Sequence, residues 1–233
     1  MSLLALRSSS REGWLGSRES WLGNREAVPG SRDLMVGDLL GRASVATLFA
    51  LLSMNLWADY LKTGRLTGLL FLLSEGLVVV LTVIRRPART VDRSFVSRAL
   101  TLISLLAPTM MRATSKTPLV PDLVTAMVST VGVAIVIMGK VTIGRSFGIV
   151  PANRGIVAKG PYNVVRHPIY AGYLLSHAAT LVAYPGLRNA CIILAGDICL
   201  VLRALAEERM LSSDREYRVY CGRVAWHLVP GVF

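Results

Sequence analysis

The stretch PDLVTAMVSTVGVAIVIMGKVTI, residues 121–143, determines the class of this protein. Its 23 residues include only two charged ones, Asp122 near the start and Lys140 near the end. A helix rises about 1.5 Å per residue, so a segment of this length covers the roughly 30 Å of hydrocarbon in a bilayer. Because lipid offers a backbone no hydrogen-bond partner, the stretch predicts a membrane-spanning α-helix.

Apolar segments on both sides repeat this pattern. Three of them approach the same length, Ile169–Tyr184 is somewhat shorter, and Ala99–Met111 is short enough to dip into the bilayer without crossing it. The predicted spans besides residues 121–143 are Ala43–Leu61, Leu66–Ile84, Ala99–Met111, Ile169–Tyr184 and Leu187–Leu205.

The composition agrees with a membrane protein. The 233 residues are 53% hydrophobic and 17% charged, and three cysteines cannot build a disulfide framework, so disordered, fibrous and disulfide-stapled chains are excluded. The net charge of +12 does not indicate nucleic-acid binding, because the basic residues lie in short clusters between apolar runs. We therefore predict an all-α fold, a polytopic bundle of about five to six transmembrane helices with a cytoplasmic cofactor pocket in its C-terminal half.

The basic clusters also predict an orientation. Successive connections are alternately rich and poor in Lys and Arg, and the rich ones include residues 85–98 and 140–166. The positive-inside rule then places those two loops and both termini in the cytoplasm. If Ala99–Met111 does not cross, the N-terminus faces outward, but the C-terminal half keeps its orientation.

The chain divides into three predicted regions. Residues 10–33 repeat a seven-residue unit whose glycines and adjacent apolar residues do not suit a coiled coil, so residues 1–38 are predicted to form a disordered arm. Residues 39–143 hold the N-terminal transmembrane helices. Residues 144–233 hold the last two transmembrane helices, the tail and the candidate site.

The stretch GRSFGIVPANRGIVAKGPYNVVRHPIYAGY, residues 144–173, has the composition of a binding loop. It contains five glycines, three prolines and four basic residues, which suits neither a span nor a simple linker. Pro168 follows His167 and can occupy the first turn of the next helix, where its missing N–H costs nothing. The unpaired amides of such a turn attract a carboxylate or a phosphate.

Two oppositely charged residues of the last predicted span are expected to lie next to this loop. Only Tyr184, Pro185 and Gly186 separate the last two spans, so these should pack side by side. Arg203 and Glu207 then lie one turn apart on one helix face, near the level of His167. We expect an ionised pair, a basic loop and a helix N-terminus to converge there.

These residues resemble a known family. Gly160-Pro161-Tyr162, the run Arg166-His167-Pro168-Ile169-Tyr170, and Glu207-Glu208-x-x-Leu211 are similar to the signature of the isoprenylcysteine carboxyl methyltransferase and phospholipid methyltransferase family of integral membrane methyltransferases. The resemblance covers roughly residues 140–233. It implies an enzyme that transfers a methyl group from S-adenosylmethionine at the cytoplasmic face.

The resemblance also implies which residues form the site. Arg203 matches the catalytic arginine that faces the substrate carboxylate in the prenylcysteine enzymes, whereas Arg154 and Gly155 align with cofactor-contacting positions but differ in type. The matching cofactor-binding positions are Ile156, Val157, Tyr162, His167, Pro168, Ile169, Tyr170 and Glu207.

The implied chemistry needs alignment of donor and acceptor and exclusion of water, but no metal or covalent nucleophile. Accordingly, no Cys or His spacing predicts a metal site. The expected partners are membrane lipids and a lipophilic or small-molecule methyl acceptor. A carboxylate is most favoured because of Arg203, while an amine headgroup or a thiol stays open.

Two other functions remain open from the sequence. A similar C-terminal tail occurs in sterol reductases, which suggests an NADPH-dependent membrane reductase. Glu75 and Asp197 lie in the middle of predicted spans without an evident partner, which is the feature favouring a non-enzymatic membrane scaffold or transporter. Trp226 and His227 in the tail are interpreted as interfacial packing.

Overall fold

The computed structural model describes residues 39, 41–47, 49, 50, 53, 54, 57 and 61, and then residues 66–92, 94–111 and 119–233. The predicted arm of residues 1–38 and much of the predicted span Ala43–Leu61 lie outside the described residues. Within that span, residues 43–47, 49 and 50 are helical. Contacts divide the chain into residues 1–41 and a compact unit of residues 42–233.

The described chain is mostly helical, as predicted, because its apolar runs lack the Gly-Pro clusters that end helices. The predicted helices at residues 66–84, 121–143 and 187–205 are confirmed, and the last continues six residues further. The helices are α1 Leu66–Ile84, α2 Phe95–Leu106, α3 Asp122–Ile143, α4 Pro168–Ala183, α5 Leu187–Leu211 and α6 Arg215–Arg223.

Two stretches are long and apolar enough to cross a membrane by length and composition. They are Leu123–Ser146, which joins α3 to a following 3-10 turn, and Leu187–Leu211. Leu73–Ile84 and Phe95–Met110 are shorter apolar helices. Within Phe95–Met110 a 3-10 turn, Ala107–Met110, succeeds α2 at Pro108, whose ring disfavours a continuous α-helix.

Helix α4 begins at Pro168 and α5 follows after residues 184–186, as predicted. The two helices touch, but the main partner of α4 is α3. Small residues explain this preference: a Cβ at Gly172 would lie 2.6 Å from the carbonyl oxygen of Gly132 and 2.8 Å from the Val136 side chain. Such close backbone approach maximises dispersion contacts between two helices.

A small antiparallel sheet, which the sequence did not predict, joins two loops. Strand β1, Thr90–Val91, pairs with β2, Ala152–Asn153, and the amide of Arg86 also donates to the carbonyl of Arg145 at 2.7 Å. The loop after α1 therefore supports the loop after α3. This pairing fixes the start of the glycine-rich stretch next to the helices.

The prediction that Lys140 belongs to the basic loop of residues 140–166 is wrong. Its side chain is not part of the basic loop but is fully buried in the last turn of α3. Its Nζ donates to the Oγ of Ser74 at 2.8 Å and lies 3.6 Å from Oε1 of Glu75. Glu75 therefore has a partner, and so does Asp197, whose Oδ1 lies 2.6 Å from Nδ1 of His177.

Candidate functional site

A cavity lies between the glycine-rich loop and the helices α3, α4 and α5. It holds about 1050 Å³ of empty space, including its open mouth. Pro168 is buried as the first residue of α4 and is the one sequence-predicted site residue outside the lining. The lining includes Ile156, Val157, Tyr162, His167, Ile169, Tyr170, Arg203 and Glu207.

Tyr170 lies between the two charged residues of α5 that were predicted to form the site, Arg203 and Glu207. Its hydroxyl donates a hydrogen bond to Oε2 of Glu207 at 3.0 Å, and the guanidinium of Arg203 lies 5.2 Å from the centre of its ring. Among the described residues no ion pair joins Arg203 to Glu207 directly, so the expected ionised pair is not formed. The tyrosine instead separates a cationic wall from an anionic wall.

Arg203 is almost fully enclosed, with 6% of its surface exposed. Its Nη2 donates to the carbonyl oxygen of Ile149 in the glycine-rich loop. Its buried Nε has no hydrogen-bond partner among the described residues. A buried guanidinium with a free donor beside a cavity suits an anionic group on a ligand.

Glu208, next to the predicted Glu207, is the centre of a second network. Nη1 of Arg166 donates to its Oε2 at 2.9 Å. Its Oε1 lies 2.9 Å from Nε2 of His167 and 2.6 Å from Nδ1 of His227. Sequence reasoning assigned no role to Glu208 and read His227 as packing, so this hub was missed.

The chain after α6 returns to the start of α4. The amide of Arg166 donates to the carbonyl of Trp226 and the amide of His167 to that of His227, both at 2.9 Å. The Arg166 side chain also donates to the carbonyl of Val224 at 2.8 Å. His167 is thus held at the cavity by both its backbone and its ring.

Tyr162 closes one side of the cavity from the 3-10 turn Gly160–Asn163. Gly160 has a φ of +57° there, which favours glycine, and the hydroxyl of Tyr220 donates to the Tyr162 carbonyl at 2.7 Å. Burial, with Glu207 nearby, raises the pKa of Tyr162 well above its usual value, and burial raises the pKa of Tyr220 to about 12. Both phenols therefore remain protonated donors at neutral pH.

Arg154 and Gly155, which differ in type from the residues at the matching positions of the family that the sequence resembles, also line the cavity. Arg154 is buried and its Nε donates to the carbonyl of Arg86 at 3.2 Å. The Asn153 side chain donates to Oδ2 of Asp214 at 2.7 Å, which ties this loop to the start of α6. These contacts fix the wall made by Ile156 and Val157.

Part of the cavity lining is apolar. It includes Phe49, Val78 of α1, Leu105 of α2 and Ile143 of α3. Participation of the N-terminal helices in the site was not predicted from the sequence. The lining therefore combines hydrocarbon side chains from these helices with charged side chains such as Glu207.

The described residues contain no group of three or more His, Cys, Asp or Glu side chains placed to hold a metal ion. No protein-family model matches this chain, and no curated protein matches it significantly. The site offers a buried cation, a carboxylate, aromatic donors and apolar side chains within one cavity.

Proposed function

We propose that this chain is an integral membrane methyltransferase that uses S-adenosylmethionine and has its pocket at the cytoplasmic face. The observation that carries the proposal is that one cavity is lined by residues of all the resembling motifs, from Ile156 through Tyr162 and His167 to Glu207. These residues are separated by a helical hairpin in sequence. Their convergence is what a shared ligand would require.

The exposed surface of the helices supports a membrane location. On α5, the exposed side chains Leu194, Ile198 and Leu202 recur every four residues and form an apolar stripe. A similar series runs along α3 from Leu123 to Val131. Soluble proteins rarely expose contiguous apolar faces of this length, so these faces support contact with lipid, and the proposed arrangement is a bundle of about five to six helices.

The residues of the predicted cofactor site fit S-adenosylmethionine chemically. The carboxylate of Glu207 can balance positive charge on the cofactor, and the amides at the start of α4 suit a carboxylate. Ile156, Val157 and the ring of Tyr162 provide the apolar and aromatic surface that a nucleobase needs. When bound, the cofactor supplies an electrophilic methyl group on a sulfonium.

The protein itself orients the groups around the cofactor and keeps water away from the reacting atoms. Tyr170 fixes the carboxylate of Glu207, and the buried walls limit the access of water to the reacting groups. Arg203 provides a fixed positive charge beside Tyr170, where an anionic acceptor can dock in two-pronged fashion. No residue needs to form a covalent bond or transfer a proton when the acceptor is a carboxylate.

The apolar part of the lining supports a lipophilic acceptor. A hydrocarbon chain can lie between Phe49, Val78 and Leu105 while its polar head points toward Arg203. A carboxylate, as in prenylcysteine, is the acceptor that the buried guanidinium favours most. An amine headgroup or a thiol is also compatible with the cavity.

The first test is binding of S-adenosylmethionine to the full-length protein in detergent. We expect saturable binding that weakens about tenfold or more in Glu207→Gln and in His167→Ala, since each removes a charged or hydrogen-bonded wall group. Glu216→Gln, which removes an exposed carboxylate on α6, is the matched control and should bind normally.

Titrating NADPH against the same preparation distinguishes the methyltransferase from the alternative function, an NADPH-dependent membrane reductase. Tight binding of NADPH without binding of S-adenosylmethionine would disprove the methyltransferase proposal and favour the reductase. Normal binding of S-adenosylmethionine in both site variants would disprove the site assignment. Mass analysis of lipids after incubation with methyl-labelled cofactor would then identify the acceptor.

A further inference from the structure

Glu208 uses both of its carboxylate oxygens in three contacts from two distant parts of the chain. Arg166 and His167 precede α4, whereas His227 belongs to the C-terminal tail, residues 224–233. The carboxylate side chain is 13% exposed, so these contacts are largely screened from water. Charge-assisted hydrogen bonds of this kind are among the stronger ones in proteins.

The His167 end of this network leads into the cavity. The imidazole of His167 stacks on the ring of Tyr170, with centroids 5.3 Å apart and planes within 6°. The hydroxyl of the same tyrosine donates to Glu207 at 3.0 Å. A continuous series of contacts therefore runs from His227 through Glu208, His167 and Tyr170 to Glu207.

The other end of the network holds the tail. The ring of His227 stacks on Phe233 with centroids 4.7 Å apart, and the amides of Leu228 and Val229 donate to the carbonyl of Phe233. The tail is therefore folded on itself around the histidine that contacts Glu208. Releasing His227 would loosen both the tail and the restraint on His167.

We propose that Glu208 is a positioning residue that couples the C-terminal tail to the cofactor cavity. This inference rests on the proposed function, because it makes affinity for S-adenosylmethionine depend on a tail that does not line the cavity. Glu208 does not touch the cofactor in this account. It sets the orientation of His167, and through the stacked Tyr170 it sets the carboxylate of Glu207.

The charge of Glu208 makes a sharp test possible. A carboxylate accepts from Arg166 on one oxygen and from both imidazoles on the other. In Glu208→Gln one oxygen becomes an NH₂ donor. If it faces the guanidinium, donor meets donor, and if it faces the imidazoles, His167 and His227 must change to the tautomers that accept at these nitrogens. The variant keeps the size of the side chain but removes its charge and cannot keep all three original hydrogen bonds.

His227 supplies a milder pair of variants. His227→Asn retains a donor near the position of Nδ1, whereas His227→Phe retains an aromatic ring beside Phe233 but has no donor. Coupling through the hydrogen bond predicts rescue by asparagine. A purely structural role of ring packing predicts the opposite order.

The experiment measures two quantities on the full-length protein in detergent. The first is trypsin cleavage after Arg223, measured without cofactor, which reports release of the tail at Val224, a residue that is buried when the tail is docked. The second is the Kd for S-adenosylmethionine. Glu216→Gln is the control for loss of an exposed carboxylate.

We expect faster cleavage in Glu208→Gln and a Kd raised about tenfold or more. We expect smaller changes of the same kind in His227→Phe, about three- to tenfold in Kd, and near wild-type values in His227→Asn. If Glu208→Gln does not fold, the two His227 variants decide the question.

Faster cleavage with an unchanged Kd would overturn the coupling and leave the proposed function intact. Unchanged cleavage in both Glu208→Gln and His227→Phe would overturn the role of Glu208 in holding the tail. Absence of cofactor binding by the wild type would overturn the proposed function, and the coupling with it.

Discussion

At the scale of single residues, Tyr170 contacts three of the predicted site residues. It packs on His167, lies beneath Arg203 and donates to Glu207. One aromatic residue therefore orients a cation, a carboxylate and an imidazole together. Its ring and its hydroxyl perform separable tasks.

Tyr170→Phe separates those tasks. The ring contacts with His167 and Arg203 remain, while Glu207 loses its donor, so the free energy of unfolding should fall by only about 0.5–1.5 kcal/mol. The Kd for S-adenosylmethionine should rise about two- to tenfold, because a mobile carboxylate binds less well. Calorimetric titration and thermal unfolding measure the two effects.

Tyr184→Phe is the matched control, because Tyr184 caps the far end of α4. Equal loss of affinity in both variants would show that the effect is not specific to the bond with Glu207.

Sequence reasoning was effective for residues related by a helical repeat. Arg203 and Glu207 are four apart on one helix, so the fact that both face one cavity follows from helix geometry. The hub at Glu208 could not be predicted, because it requires the chain to fold back at His227 after an intervening helix and turn. The role of Tyr170 as a separator likewise depends on the side-chain directions of two helices.

At the scale of elements, the buried contact of Lys140 with Ser74 and Glu75 joins α3 to α1. Lys140→Met leaves Glu75 without its cation, which should cost about 3–5 kcal/mol of stability. The double variant Lys140→Met, Glu75→Leu should recover much of that loss, since no charge is left unpaired. Thermal unfolding in detergent gives the comparison.

Lys159→Met, which changes an exposed lysine, should have little effect. A double variant less stable than Lys140→Met alone would disprove the pairing. Glu75 and Asp197 each contact a charged or titratable residue of another helix, so the lack of a partner that favoured a transporter does not hold.

Most helix bounds followed from apolar length, but the small sheet did not. Strands of two residues, such as Thr90–Val91, leave no periodic pattern in the sequence. The burial of Lys140 was also hidden, because a lysine at the end of an apolar run usually reaches the headgroups. In both cases the partner lies in another element far along the chain.

At the scale of the whole molecule, the proposed crossing by α5 has a direct consequence. Gly186 precedes this helix and Ser213 follows it, so they should lie on opposite sides of the membrane. In a background without the three native cysteines, Gly186→Cys and Ser213→Cys can be labelled in sealed vesicles with a membrane-impermeant maleimide. Only one should react before permeabilisation.

In inside-out vesicles the reactive position should be Ser213→Cys, because the positive-inside rule puts that end of the helix in the cytoplasm. Reaction of both positions in intact vesicles would contradict the crossing.

The cavity wall takes residues from almost the entire described chain, from Phe49 to Tyr220. During synthesis, the wall residues near the N-terminus leave the ribosome well before those near the C-terminus. A nascent or prematurely terminated polypeptide therefore has no complete pocket, however well its early helices have inserted. The pocket can be complete only after the segment that carries Tyr217 and Tyr220 has been made and has docked.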